Sequence, residues 1–266
     1  MKLSDLEPYL KTRWLGRRAI FAEELASTNK TAMELGAEGE AKGLIITAEK
    51  QTAGRGRHAR TWHSPAGLNL YLSLLIRPSL QQYRIPELAM LTAIALRQAI
   101  LSIEPDLPIG LKWPNDLWVQ QRKVSGILCE AASTQKFGLH TVVGVGLNIN
   151  STLENFPEEL QNTATSLKIA TGKNYSRAKI LAAFLNIFEK QYDLWENSIH
   201  FDPFIKIWNS HDILVGRQIE LCQKDNIIKG TVLGISQDGR LQLRKEDQTE
   251  CLINAGDVHI LGAVKK

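Results

Sequence analysis

Acid is missing where the chain is most basic. Between Glu49 and Glu87 there is no aspartate or glutamate, yet Lys50, Arg55, Arg57, Arg60, Arg77 and Arg84 all lie there. Cysteine is scarce as well. Cys129, Cys222 and Cys251 show neither CxxC nor Cys/His spacing, which argues against a disulfide framework or a zinc site and for a reducing compartment. No apolar run reaches the roughly eighteen residues that a membrane span requires. The opening MKLSDLEPYLKTRW lacks the apolar core of a secretory signal. A cytoplasmic protein with no membrane partner is the expectation. There is no internal repeat and no low-complexity tract. The net charge of +4 is too mild to specify a nucleic-acid partner, so the local basic cluster carries more information than the sum.

What is present organises into two parts. Residues up to about Phe21 read as a short helix and a connection. Ser27, Thr28 and Asn29 are N-cap residue types, and a helix to about Ala37 follows them. LIITAEKQ reads as a strand. LNLYLSLLI places Leu68, Leu70, Leu72, Leu74 and Ile76 on one strand face. A helix runs from Pro86, with proline in its favoured first turn, to about Ile103. LKW, DLWV, VSGILCEA and HTVVGVGLNIN read as strands, with QQRK as a hairpin loop. A long helix from Ser176 to Glu196 carries Ile180, Phe184, Ile187, Phe188 and Trp195 inward. Residues 1–213 are therefore expected to form an α+β domain with helices on a mostly antiparallel sheet. From Leu214 the pattern changes to short strands, RQIELCQ, IIKGTVLGIS, RLQLRKE and TECLINAGDVHIL, with a hairpin signal at Asp238-Gly239. A small β-barrel over 214–266 is the expectation.

Three segments carry the chemistry. In QTAGRGRHARTW (51–62), Gly54 and Gly56 are expected to free the backbone for positive φ and close approach to a ligand. The arginines add donors matched to phosphate or carboxylate, and Trp62 is a stacking, lid or core residue. A solvated basic loop or a nucleic-acid patch is the competing interpretation. In KWPNDLWVQQRKVSGILCE, Asn115 and Asp116 fall in a turn at a strand end. Lys123 follows across the hairpin and Gly126 permits close approach. A Lys–Asp pair in that position is either a surface ion pair or part of a site. GVGLNIN (144–150) reads as a backbone wall for a flat ligand or as a strand packed tightly under a helix.

In this order, STN at 27–29, the arginine loop, SPAGLNLYLS, KWPNDLWV, RKVSGILCE and VGVGLNIN resemble the catalytic domain of biotin–protein ligases over nearly the whole chain. The tail is similar to that family's SH3-like barrel. The resemblance implies a class II aminoacyl-tRNA synthetase-like mixed sheet and a two-step reaction. Biotin and ATP, with Mg²⁺, give biotinyl-5′-AMP, and the biotinyl group then passes to a lysine of a biotin carboxyl carrier domain of the acetyl-CoA carboxylase type. It places Ser27, Thr28, Asn29, Gln51, Gly54, Arg55, Gly56, Lys123 and Gly126 at biotin. It places Arg57, Arg60, Trp62, Asn115 and Asn148 at the nucleotide, and Lys123, Arg57 and Asp116 in catalysis, with no dedicated protein metal site.

The acceptor amine has a pKa near 10.4, so only about one part in a thousand is neutral near pH 7.4. A carboxylate of ordinary acidity, about 3.9, is a poor match for a general base, so Asp116 is expected to orient the acceptor together with Asn115. Two departures stand out: His58-Ala59 where many relatives carry Arg-Gly, and Ser125 where Gly or Ala is usual. GDVHIL lacks a lysine or arginine, so no nucleotide contact is expected from the tail. Only 26 residues precede Ser27, too few for the winged helix-turn-helix of larger relatives, so no DNA partner is expected. The family includes monomers and homodimers. The alternatives are a lipoate or octanoate ligase of the same superfamily, or a basic nucleic-acid-binding module.

Overall fold

The computed structural model describes residues 1–79, 84–223 and 226–261. Seven strands form the main sheet: β1 (Arg18–Leu25), β2 (Leu44–Gln51), β3 (Leu70–Ile76), β4 (Ile109–Lys112), β5 (Asp116–Val119), β6 (Arg122–Thr134) and β7 (Gly138–Leu147). Their order is β1-β2-β3-β7-β6-β5-β4. Only β1 and β2 run parallel; every other neighbouring pair is antiparallel.

The helices are α1 (Leu3–Leu6), α2 (Thr28–Ala37), α3 (Ile85–Leu101), α4 (Leu167–Thr171), α5 (Arg177–Glu196) and α6 (Asp202–His211). Helices α3 and α5 pack together, and α3 lies on β6 and β7, closing the main core. Helix α2 lies across β3, β6 and β7 and closes a smaller cluster of Ala32, Leu44, Ile46, Leu75 and Val142. Strand β3 is thus covered on both sides, and all seven of its residues are buried. Leu70, Leu72, Leu74 and Ile76 join the main core as expected, while Leu68 precedes the strand.

Two local expectations need correction. The segment up to Phe21 contains its short helix, but Arg18–Leu25 is a strand, not a connection. RAIFAEEL shows no clean alternation because β1 is a sheet edge, half open to water, and its pairing with β2 is decided by tertiary contact. Helix α6 was also not anticipated; it buries Phe204 and Trp208. The QQRK hairpin is present, turning on Gln120 (φ 49°) and Gln121 (φ 62°), left-handed positions where Asn-Gly is the usual choice.

A second sheet contains β8 (Gln218–Gln223), β9 (Asn226–Ile235), β10 (Leu241–Arg244), β11 (Glu250–Ile253) and β12 (Asp257–Ile260). Its order is β11-β10-β9-β8-β12, antiparallel throughout. TECLINAGDVHIL, read as one strand, is two, and they lie at opposite edges of this sheet. The Asp238-Gly239 hairpin forms as expected, with Gly239 at φ 75°. Residues 262–266 lie outside the described part. The two sheets are joined through buried Trp113, whose indole N–H donates to the Gly239 carbonyl at 3.0 Å.

Candidate active site

Strand register builds the floor of a cavity of about 450 Å³. Lys112 pairs with Asp116, Asp116 with Gly126, and Gly126 with Gly146, so these four lie abreast across β4-β5-β6-β7. The glycines seat side chains from above. A Cβ on Gly146 would lie 2.4 Å from the Trp62 ring, and one on Gly144 would lie 2.0 Å from Asn29 Oδ1. The flat group against this wall is therefore the Trp62 indole itself, while Gly144 serves the packing of α2. The Trp62 Nε1–H is buried and has no hydrogen-bond partner among the described residues. A Cβ on Gly126 would crowd both Trp62 and Lys123, at 3.0 Å from each.

The arginine loop is a small closed excursion. Gly56 N–H donates to Arg60 O at 2.7 Å, and Trp62 N–H donates to Gly54 O at 2.9 Å. Gly54 and Gly56 do not adopt positive φ, contrary to expectation; Gly56 has φ −115°. Gly54 is needed for close approach instead, since a Cβ there would lie 2.4 Å from the Trp62 carbonyl. The left-handed residues are His58 (φ 53°) and Ala59 (φ 57°). Each costs about 1–2 kcal/mol relative to a right-handed residue, so the loop holds local strain between its arginines.

Each arginine finds its partner far away in sequence. Arg55 pairs with Glu130 at 3.0 Å, Arg57 donates to Asn115 Oδ1 at 3.2 Å, and Arg60 pairs with Asp257 of β12. Burial pulls the Arg57 guanidinium below its ordinary value, and Asp257 and Asp116 oppose that shift. Asn115 is itself fixed, donating to the Ile127 carbonyl at 2.6 Å.

The STN segment and Gln51 form a polar clasp that lines the cavity. Gln51 Oε1 accepts from Thr28 N–H at 2.9 Å and from the Thr28 hydroxyl at 3.2 Å. Gln51 Nε2 donates to Ser64 Oγ at 3.0 Å. Ser73 Oγ lies 2.7 Å from Asn29 Oδ1 and 2.8 Å from Thr28 Oγ1. Ser27 occupies the N-cap position of α2, but its hydroxyl makes no cap hydrogen bond and lines the cavity.

Lys123 stands over the floor. Thr163 O and Thr165 N–H pin its backbone on both sides. Its Nζ lies 2.7 Å from Asp116 Oδ1 and 5.7 Å from the Trp62 ring centre. That Oδ1 is buried and has no aligned hydrogen-bond donor, so the contact is an ion pair and not a directed hydrogen bond. Asn148 is buried at the edge of the cavity, its amide donating to Thr165 O at 3.0 Å.

Three further groups were not singled out from the sequence. Lys112 lines the cavity 4.3 Å from the Trp118 ring centre, and burial pulls its ammonium below the usual lysine range despite nearby Asp116. Its signal was its place opposite Asp116 in a tight KWPND hairpin. Glu130 shares the face of Gly126 and Leu128 by the two-residue period of β6. Asp257 had no local signal; it lies in the tail, whose residues 256–259 line the cavity. Among the described residues, no three His, Cys, Asp or Glu side chains gather as a metal-ligand set.

The profile of the Biotin/lipoate A/B protein ligase family matches residues 21–148, and that of the Biotin protein ligase C terminal domain matches 214–261. A bifunctional ligase/repressor, BirA, of Bacillus spizizenii is 33% identical over 95% of this chain and 77% of its own length. The chain belongs to the biotin protein ligase family. A biotin–[acetyl-CoA-carboxylase] ligase of Mycobacterium tuberculosis is 32% identical over 91% of this chain and 88% of its own. The biotin protein ligase of Aquifex aeolicus, solved in complex with biotin and ATP, superposes with a TM-score of 0.80 at 28% identity, covering 92% of this chain and 98% of that one. The α+β architecture with a small antiparallel second sheet is thus that of biotin protein ligases. No helix among the described residues is long and apolar enough to cross a membrane.

Proposed function

We propose that this chain activates biotin with ATP and transfers it to a lysine of a biotin carboxyl carrier domain. One observation carries the proposal: the Ser27–Thr28–Gln51 clasp and the cations Arg57, Lys112 and Lys123 line a single cavity. A polar clasp suits the ureido ring, and convergent cations suit a carboxylate meeting a triphosphate.

In the first step a biotin carboxylate oxygen bonds to the α-phosphorus, and the bond to pyrophosphate breaks. Two anions must approach, so the protein's contribution is alignment and charge neutralisation. Lys123, with backbone held on both sides, supplies a fixed charge where carboxylate and α-phosphate meet. Arg57, braced by Asn115, supplies a second. Trp62 presents an apolar face to the ligand. In the second step the acceptor amine attacks the acyl carbon, AMP departs, and the amine loses a proton. Asp116, with its ill-directed Oδ1, holds the incoming ammonium beside Lys123.

Mg²⁺ bound with ATP would neutralise phosphate charge and would need few protein ligands; Asp116 and Asp257, both at the cavity, are the carboxylates that would hold it. We read residues 1–213 as the catalytic unit and 214–266 as a second unit, of whose described residues 256–259 line the cavity.

The test is acid-dependent ATP–pyrophosphate exchange with biotin, with lipoate and with no acid. Exchange with biotin alone supports the proposal. Exchange with lipoate moves the chain to the sister activity, and exchange with neither refutes acid activation.

A further inference from the structure

Glu130 sits where the two halves of the acid-binding clasp meet. Its Oε1 lies 3.0 Å from Arg55 Nη2, and its Oε2 accepts from Asn29 Nδ2 at 2.9 Å. Asn29 continues through Ser73 to Thr28, then to Gln51, Ser64 and the carbonyl of Trp62. One chain of polar contacts therefore runs beneath the loop from the guanidinium at 55 to the backbone at 62. Glu130 is the anionic member of that chain and the anchor for the Arg55 end.

We propose that Glu130 is a positioning residue that holds the Arg55 guanidinium against α2 and so fixes the arginine loop for the acid substrate. This rests on the biotin-activating reading above. The charge pattern supports it. Arg55 side-chain exposure is 52% and that of Glu130 is 22%, so the pair is no part of the hydrophobic core. Exposed pairs add little to folding, yet this one spans 75 residues of sequence and ends on two groups at the cavity. It also divides labour among the arginines. Glu130 neutralises Arg55, which then acts by place, while Arg57 is braced by the neutral Asn115 amide and keeps its charge for the phosphate.

Two readouts test the assignment. Trypsin cleaves after Arg55, Arg57 and Arg60, so its rate on the ligand-free protein reports how firmly the loop is held. Glu130→Gln should speed that cleavage about two- to fivefold and raise the KM for biotin by a similar factor, the range of a partly exposed ion pair. The KM for ATP should change by less than about twofold, because the phosphate-facing cations are untouched. Glu130→Ala should do more than Glu130→Gln, since it also removes the nearer of the Asn29 amide's two acceptors and leaves only the Leu128 carbonyl at 3.3 Å. In an Arg55→Met background, Glu130→Gln should add nothing. Unchanged cleavage and biotin KM in Glu130→Gln would overturn the assignment. So would equal rises in both KM values with a lowered Tm, which mark a structural role only. If wild type shows no biotin-dependent exchange, the activity reading fails and the role toward the acid falls with it, while the trypsin comparison still decides whether Glu130 holds the loop.

Discussion

The seven-stranded sheet turns a face stripped of side chains toward the cavity, with Gly126, Gly144 and Gly146 in its floor and Lys123 standing over them. The five-stranded sheet turns side chains toward the same space, and its charged contribution is Asp257. The large sheet is buried on both sides by α2 and by α3 with α5, so it can keep a bare strand rigid and mount groups on it. The small sheet meets the cavity only along its β12 edge, so it can supply a latch but not a platform. Burial on both faces belongs to the layer with helices on both sides.

The link between the sheets gives the largest expected effect. Asp212 closes α6, accepting from Trp208 Nε1 and from Leu214 N–H, and burial pushes its carboxyl up to about 6. A raised acid binds a proton in the folded state that the unfolded chain releases near pH 4. Its stabilisation is therefore full below pH 4 and lost as pH rises through 6, on the order of 3 kcal/mol across two units. Asp212→Asn should flatten that slope in urea titrations at pH 4, 5, 6 and 7. An unchanged slope would mean that the joint between the sheets is wetter than its burial implies.

Lys123→Ala probes the platform directly. It removes a charge-assisted contact of about 1.5–3 kcal/mol, so biotin-dependent exchange should slow at least about tenfold with Tm preserved. Unaltered exchange would move the chemistry off the large sheet. Gly146→Ala asks whether the bare floor is required. The added Cβ must displace the Trp62 ring, at a cost of about 1–3 kcal/mol, read as a lower Tm together with an altered near-ultraviolet dichroism of tryptophan. Asp257→Asn is the mildest. The Arg60 pair is half exposed and worth about 0.2–1 kcal/mol, so the KM for ATP should shift less than about fivefold, and less still at high salt. A larger shift would make the small sheet more than a latch.

The large sheet was the more legible of the two. The strands from LIITAEKQ onward, α3 and α5 were readable because their apolar residues follow one period over many positions. Strand β1 was not, because an edge strand buries too little to impose a pattern. The site was legible as motifs but not as contacts. Lys123 and Asp116 lie seven residues apart across a tight hairpin, and their pairing could be read. Gly54 and Gly56 were expected to free the backbone for positive φ and for a ligand; the close neighbour of Gly54 is the Trp62 carbonyl, and the positive φ falls on His58 and Ala59, because loop closure between Gly56 and Arg60 sets those torsions.

By itself the sequence determined the charge asymmetry: a stretch from Lys50 to Pro86 with no acid of its own. Except for Arg84, neutralised three residues on by Glu87, only the tertiary structure decided where the acids come from: Lys50 is paired at the surface by Glu24, Arg55 by Glu130 and Arg60 by Asp257. Arg77 spends its donors on the carbonyls of Gly36, Glu40 and Phe137. The physical reason is range. Composition and periodicity are local properties of the chain, whereas an ion pair needs two side chains within about 4 Å, a distance that strand register and sheet packing set between residues up to 197 positions apart.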